Sequence, residues 1–337
     1  MKCFQFARFG LDALQLAERP APQPGPHDVL VRWHAWSLNY RDLVLIEGTY
    51  MPRLPLPFTP LSDGAGAIVA VGEAVTAWRP GDRVISHYLP DWEDGDATPE
   101  KIAASLGAPL PGLLADESVL PARALVPLPA HLSFAEGATL PVAALSAWNA
   151  LFEFGPLPPH GTVLLEGTGG VSLFGLQLAH AAGLRTIITS SSDEKLVRAR
   201  ALGADAAINY RTTPRWAEEV RRFTDGNGVD LVLDIGGGDT LPEALRAARL
   251  GGRIAAIGFL GGKDIALDAL DFIRQLVTLH GLKAGSRAMF LRMLTMIAHH
   301  RIRPVVDREF AFADVGAALH HLKSGQPFGK IVIRRDS

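Results

Sequence analysis

TVLLEGTGGVSLFGLQLAHAAGLRTIITS, residues 162–190, sets a short aliphatic run, a glycine turn, an apolar segment of helical length and a second β-branched run in direct succession. Residues 163–166 predict a buried strand, 170–182 a helix and 186–189 a second buried strand, the order of a βαβ unit. Gly167, Gly169 and Gly170 let the backbone turn tightly and approach a pyrophosphate. The charge of such a group would rest on the open N–H groups of a helix beginning near Gly170. The third glycine of a G-x-G-x-x-G pattern is replaced by Ser172, so the strand-turn-helix context carries the reading more than the motif does. A dinucleotide is the ligand this stretch suggests.

The end of the second strand bears on which dinucleotide. An NAD site places Asp or Glu about 20 residues beyond the glycines to hold the ribose hydroxyls, and an NADP site avoids that charge. Here the strand runs into Ser190, Ser191 and Ser192, whose small hydroxyls leave room for a 2′-phosphate, with Lys195 one turn into the next helix to neutralise it. Ser191 also reads as an N-cap completed by Glu194. Asp193 and Glu194 oppose a phosphate, so NADPH is favoured while NADH stays possible.

Working outward, 20 of the 24 prolines precede residue 161, which makes the first part of the chain strands, turns and loops. Runs at 29–36, 66–71 and 83–87 read as strands of an antiparallel, barrel-like domain. From Gly161 short strands alternate with helices: helix 192–202, strand 206–210, helix 214–224, strand 229–234, helix 241–249, strand 253–258 and strand 278–283. That order predicts a doubly wound parallel sheet of Rossmann type. A helix over 288–300 and a strand over 330–334 return to the first domain.

Composition narrows the function classes. With 337 residues the length suggests two domains, and 48% hydrophobic with 20% charged residues is ordinary for a globular enzyme. A net charge of -2 offers no footprint for nucleic acid or an anionic membrane, and the longest uncharged stretch, 167–184, carries five glycines besides Gln177 and His180. No apolar leader is visible at the N-terminus, and a single cysteine, Cys3, excludes an internal disulfide, so a cytoplasmic location is expected.

With both halves placed, the chain resembles the medium-chain dehydrogenase/reductase superfamily, close to its zinc-independent quinone oxidoreductase and NADP-dependent alcohol dehydrogenase-like branch. The resemblance covers essentially the whole length. It rests on SLNYRD at 37–42, LSDGAG at 61–66, PGDRV at 80–84, GTGGVS at 167–172, LGAD at 202–205, GGR at 251–253 and GKIV at 329–332. It implies a GroES-like β-barrel catalytic domain over 1–129, completed by 287–337, a Rossmann NADP-binding domain over 130–286, an active-site cleft between them and a homodimer. The edge strand 278–283 would form the dimer contact.

The same resemblance assigns roles. Zinc-dependent members present a cysteine, a Gly-His-Glu and a second cysteine as catalytic ligands; Asn39, Ser62 with Asp63, and Val142 stand there instead. No metal site is therefore expected. Asn39 is the first candidate in the cleft, as donor to a substrate carbonyl or to the nicotinamide ribose. Tyr40 and Tyr50 are candidates for substrate contact or proton donation, or are tyrosines packed beside a loop. Asp63 either orients Asn39 or Arg41, or forms a structural ion pair with Arg41. Trp36 and Trp92 either line a pocket for a flat ring or belong to the core. Gly167, Gly169, Gly170 and Val171 would meet the pyrophosphate, and Ser190, Lys195 and Tyr210 the 2′-phosphate and adenosine. Gly258 with Phe259, and Ser286 with Arg287, would hold the nicotinamide half. Gly236, Gly237 and Gly238 would begin a helix near the cofactor, and Lys330 either faces the cleft or closes the barrel.

Without a Lewis acid, a carbonyl must be polarised by hydrogen bonds, and conjugated acceptors, which delocalise the arriving charge, make the smaller demand. The expected reaction is NADPH-dependent hydride transfer to a quinone or α,β-unsaturated carbonyl, the substrate being a small apolar molecule. The alternatives are a metal-free alcohol dehydrogenase or carbonyl reductase using NAD(P), and a non-catalytic NADPH-binding protein.

Overall fold

The computed structural model describes residues 1–336. The chain divides into two compact units, one formed by Met1–Leu145 with the residues from Gly285 onward, the other by Ser146–Ala284. The first unit contains β1 (Lys2–Phe6), β2 (Leu14–Glu18), β3 (Asp28–Ser37), β4 (Asp63–Val71), β5 (Arg83–Ser86), β6 (Glu117–Pro121) and β7 (Leu125–Pro127). The second contains β8 (Thr162–Leu165), β9 (Arg185–Ser190), β10 (Ala206–Asn209), β11 (Val229–Asp234), β12 (Ala248–Ala256) and β13 (Thr278–Gly281). The chain then returns to the first unit with β14 (Val306–Ala311) and β15 (Lys330–Arg334).

In the first unit β1 and β2 form an antiparallel pair, and a seven-stranded sheet runs β14-β15-β3-β4-β5-β7, with β6 also on β3. β3 reads DVLVRWHAWS and buries Val29, Val31, Trp33 and Trp36 in a core shared with Leu113, Ile331 and Ile333. The register decides what meets at one end of this sheet. Ser37 at the end of β3 faces Asp63 at the start of β4 on one side and Val332 of β15 on the other. Residues just beyond Ser37, at the start of β4 and at the start of β15 are thereby brought together, although they lie far apart in sequence.

The second unit is a six-stranded sheet, all parallel, in the order β10-β9-β8-β11-β12-β13. This is the doubly wound arrangement in which the strand order reverses between β8 and β11, and ligands bind beyond the carboxyl ends at such a switch point. The helix Gly170–Ala181 follows β8 directly. At its Gly175 a Cβ would lie 2.8 Å from Leu165 Cδ2 and 3.1 Å from Leu233 Cδ2, so glycine is what lets helix and sheet approach. This close-packing glycine, and not residue 172, does the work of the third glycine of the fingerprint. Gly175→Val is expected to destabilise the protein by about 1–3 kcal/mol through overpacking. Denaturant unfolding would check this, and an unchanged midpoint would refute it.

Several boundaries differ from those the sequence predicts. Residues 134–144, assigned to the nucleotide-binding half, pack on β3, β4 and β5 of the first unit, so the division falls after Leu145. The helix expected over 241–249 ends at Ala247, because β12 begins at Ala248, which pairs with Val229 across a register shift. Gly236, Gly237 and Gly238 form the turn before that helix rather than its first residues. The N-cap expected at Ser191 is Ser192, whose Oγ accepts from the Lys195 N–H at 3.4 Å, since β9 runs on to Ser190. The strand expected to reach Lys283 ends at Gly281.

Candidate active site

At the end of the first unit's sheet, three segments supply one cluster. Asn39 precedes the helix Tyr40–Ile46, and the first turn is closed by Asp42: its Oδ2 accepts the Asn39 N–H at 2.8 Å, and its own N–H donates to the Asn39 carbonyl at 3.0 Å. Lys330, at the start of β15 and only 4% exposed, donates from Nζ to Asn39 Oδ1 at 2.6 Å and also to the Leu38 carbonyl. Asp63 is fully buried; its Oδ1 accepts from Ser62 Oγ at 2.7 Å, its Oδ2 has no hydrogen-bond partner among the described residues, and the Val142 N–H lies near enough to favour the ionised form. Asn39 Nδ2 has no hydrogen-bond partner among the described residues, although the amide lies near enough to Asp63 to favour its ionised form.

Burial sets the electrostatics here. It pushes the Asp63 carboxyl above the usual carboxylate range, a shift that Lys330 and then Asn39 oppose. It pushes the Lys330 ammonium down, a shift that Asp63 and Asp42 oppose. Asp42, also fully buried, is raised to about 7, against the pull of Arg41 and with the repulsion of Asp63. The arrangement is a buried cation and a buried carboxylate bridged by one amide. Because Asn39 Oδ1 is committed to the ammonium, Nδ2 is the end that can donate. A buried donor left without a partner costs about 1–3 kcal/mol, so an acceptor arriving with a ligand would complete it.

The other candidates of this unit sort as follows. Tyr40 and Tyr50 are both partly exposed. Arg41 does not pair with Asp63. Its guanidinium donates to the carbonyls of Leu106, Gly107 and Ala108 and sits over the rings of Tyr50 and Tyr88, 5.5 and 5.2 Å from their centroids. The ion pair between Asp63 and Arg41 is therefore corrected, because those carbonyls and rings already hold the arginine. Trp36 is fully buried, donates to the Leu113 carbonyl and packs against Phe312, while Trp92 donates to the Gly95 carbonyl; both belong to the packed interior and not to a ring pocket. Ser286 and Arg287 belong to the first unit, where Ser286 Oγ caps the helix Arg287–His299 and Arg287 Nε donates to the Leu125 carbonyl at 3.1 Å.

In the second unit the carboxyl ends of β8, β9 and β10 gather most of the cofactor candidates. Gly167, at φ +71°, occupies the left-handed region, and its N–H donates to Thr189 Oγ1 at 3.2 Å. Gly169 is the N-cap of the helix Gly170–Ala181, and a Cβ built on it meets nothing within 4 Å. Val171 lies in the first turn of that helix. Thr168 Oγ1 lies 3.4 Å from Ser190 Oγ, and the Tyr210 N–H donates to the Ser190 carbonyl at 3.1 Å. Lys195 lies in the first turn of the helix Asp193–Ala201. Gly258 follows β12, its N–H donating to the Asp234 carbonyl at 3.2 Å, and Phe259 beside it is partly exposed. Open space at Gly169, a helix N-terminus and two hydroxyls form a cradle that fits a dinucleotide.

Sequence reading missed two acids beneath this cradle. Glu166 directly follows β8, Asp234 ends β11, and both are buried. Glu166 Oε2 accepts the Gly236 N–H at 3.4 Å; Asp234 Oδ1 accepts the Gly237 N–H at 2.8 Å and Thr240 Oγ1 at 3.2 Å. Burial first, and then the charge of Asp234, raise the Glu166 carboxyl well above the usual range. Their signal was in plain view: each is an acid at the carboxyl end of a mainly aliphatic run, TVLLE and VDLVLD.

No group of three or more His, Cys, Asp or Glu side chains placed to hold a metal ion is found among the described residues. The positions equated with metal ligands lie near one another, since the Asn39 amide and the Val142 N–H both come close enough to the Asp63 carboxylate to favour its charge. They offer an amide, a hydroxyl, one carboxylate and an aliphatic side chain, with an ammonium among them. Residues 25–130 match the family model of the alcohol dehydrogenase GroES-like domain, and 170–299 that of the zinc-binding dehydrogenase. A zinc-type alcohol dehydrogenase-like protein of Schizosaccharomyces pombe is 41% identical, with 97% of this chain and 96% of that one covered. Quinone oxidoreductase-like protein 2 of Bos taurus is 29% identical over 94% and 88% of the two chains. Among solved structures, an NAD-dependent alcohol dehydrogenase superposes with a TM-score of 0.90 at 32% identity, covering 99% of both chains. A mycobacterial protein complexed with NADPH superposes with a TM-score of 0.84 at 26% identity and the same coverage.

Proposed function

Because this chain belongs to the medium-chain dehydrogenase/reductase superfamily and is an oxidoreductase, we propose that it is a zinc-independent, NADPH-dependent reductase of quinones or α,β-unsaturated carbonyls. The observation that carries this reading is the donor set at Asn39, Asp63 and Val142. A catalytic zinc takes three protein ligands of the Cys, His or carboxylate kind, and these positions supply a single carboxylate hydrogen-bonded to a serine. Polarisation of the acceptor then falls to hydrogen-bond donors, which suits a conjugated carbonyl.

In this reading the bound cofactor supplies the hydride. The first-turn N–H groups of the helix Gly170–Ala181 hold the pyrophosphate, with Gly169 leaving room for it. Ser190, Lys195 and Tyr210 hold the adenosine end, and the absence of an acid at the end of β9 favours a 2′-phosphate. Asn39 Nδ2 donates to the acceptor oxygen or to the nicotinamide ribose, and Tyr40 and Tyr50 bound the acceptor. Lys195→Met is expected to raise the NADPH Kd about 10-fold, the loss of one charge-assisted contact, and to leave the NADH Kd unchanged. Fluorescence titration measures both, and an equal change in the two would argue against phosphate recognition by Lys195.

The decisive assay is NADPH oxidation by chelator-treated protein with a para-quinone, a conjugated enone and a saturated aldehyde at matched concentrations, with NADH as control. Selective turnover of the quinone or enone is the expected result. Turnover of the aldehyde alone would favour a metal-free carbonyl reductase. Turnover that disappears with the chelator and returns with zinc would overturn the reading. A homodimer belongs to the same proposal, through β13, which is the last strand of its sheet and follows the exposed Leu270, Ile273 and Leu276.

A further inference from the structure

We propose that the buried ammonium of Lys330 is the resident cation of this site, standing among the positions where zinc-dependent relatives hold their metal, and that it positions Asn39. The inference rests on the functional reading above for its catalytic meaning, but its geometry stands by itself. Asn39, Ser62 with Asp63, and Val142 lie near one another, and the cation found beside them is Lys330. Its ammonium is bonded to Asn39 Oδ1 at 2.6 Å and to the Leu38 carbonyl, and it faces the negative charge of Asp63.

The consequence for Asn39 follows from the chemistry of an amide. Its two ends are nearly the same size and differ in sign, so rotation by a half turn would set the NH2 against an ammonium. The cation forbids that rotamer and leaves Nδ2 as the donating end, the end that has no partner among the described residues. Lys330 thus acts through Asn39 as a positioning residue. Asp63 offsets the charge of the cation. One buried cation, faced by the Asp63 and Asp42 carboxyls, stands in for a divalent ion, and its charge lies one amide away from the proposed acceptor. A zinc ion cannot share this place, because the ammonium would have to leave it or lose its proton.

The test compares the full-length wild type with Asp63→Asn and with the charge-balanced double variant Lys330→Met/Asp63→Asn. The side-chain amide of Asn39, assigned in 15N-correlated spectra by its loss in Asn39→Asp, reports orientation without any turnover. It is expected to be shifted from the free-amide position in the wild type and in Asp63→Asn, which keeps the bond to Lys330, and to move to that position in the double variant. The NADPH Kd should stay within about twofold, and kcat for the enone should fall about 10- to 100-fold below that of Asp63→Asn, with KM changing less. An Asn39 signal and a kcat in the double variant equal to those of Asp63→Asn would overturn the proposal, leaving Lys330 as a counter-ion only. Should the double variant not fold, metal analysis of the wild type decides: the proposal requires no stoichiometric zinc after equilibration with the ion, and one equivalent lost in Asp63→Asn would overturn it. If the wild type turns over no acceptor, the functional reading fails while the Asn39 signal still tests this one.

Discussion

Replacing Lys330 by methionine alone is expected to lower the unfolding free energy by about 3–5 kcal/mol, the cost of breaking a buried charge pair from one side. The methionine fills most of the volume, so packing is not the main loss. What is lost is the cation that opposes the burial of Asp63 and the donor to Asn39 Oδ1 and the Leu38 carbonyl. The deficit has a definite pH dependence. Without Lys330 the folded-state pKa of Asp63 rises further above its unfolded value, so its contribution is whole below the unfolded value and is lost as pH rises through the folded one. The variant should therefore approach the wild type in acid and fall away from it toward pH 8. Adding Asp63→Asn should recover much of the loss. Urea unfolding of the three proteins at pH 5 and pH 8 measures this, and a single variant as stable as the wild type at both would refute the pairing.

Glu166→Gln is expected to reverse part of the pH dependence of stability in the opposite sense. Glu166 Oε1 and Asp234 Oδ2 are both buried and without a partner among the described residues, and a single shared proton would join the two carboxyls. Burial and the Asp234 charge raise the Glu166 pKa in the folded state. The group then binds its proton when folded and releases it when unfolded, so its contribution is complete below the unfolded pKa and declines as pH rises. Over that interval the decline is about 1.4 kcal/mol per pH unit. Glutamine keeps a donor and never ionises, so the variant gains on the wild type by that slope. Other groups act on both proteins alike: Asp42, raised to about 7, weakens stability with rising pH in the same way. His87, lowered to about 4 by burial, strengthens stability as pH climbs from about 4 to its ordinary value. The difference between the two proteins isolates Glu166, and a difference that does not change with pH would show that no proton is shared.

The parts of this protein legible in the sequence are those governed by neighbours along the chain. The strands 229–234 and 330–334 fall where the apolar runs place them, because a buried strand needs only its own residues to announce itself. The glycine turn at 167–170 and the helix after it are equally local. Boundaries failed where a distant partner set them, as at Ala248, whose strand begins early because Val229 lies beside it. Gly175 went unremarked because its need for glycine comes from Leu165 and Leu233 of two strands beneath it, not from the helix that contains it. Asn39 was singled out through resemblance, but the bond its amide oxygen makes was not legible, since the donor is 291 residues away.

By itself, then, the sequence determined the two kinds of architecture, the turn that suits a dinucleotide and the residue types at the positions equated with metal ligands. Each of these depends on residue type and short-range spacing. Only the tertiary structure decided that Lys330 stands among Asn39, Asp63 and Val142, and that Glu166 meets Asp234. Those meetings are fixed by strand register, Ser37 against both Asp63 and Val332 in one sheet and Leu164 against Val232 in the other. Register is a property of pairs of strands selected by the core as a whole, because a one-residue slip would turn every buried side chain to the opposite face.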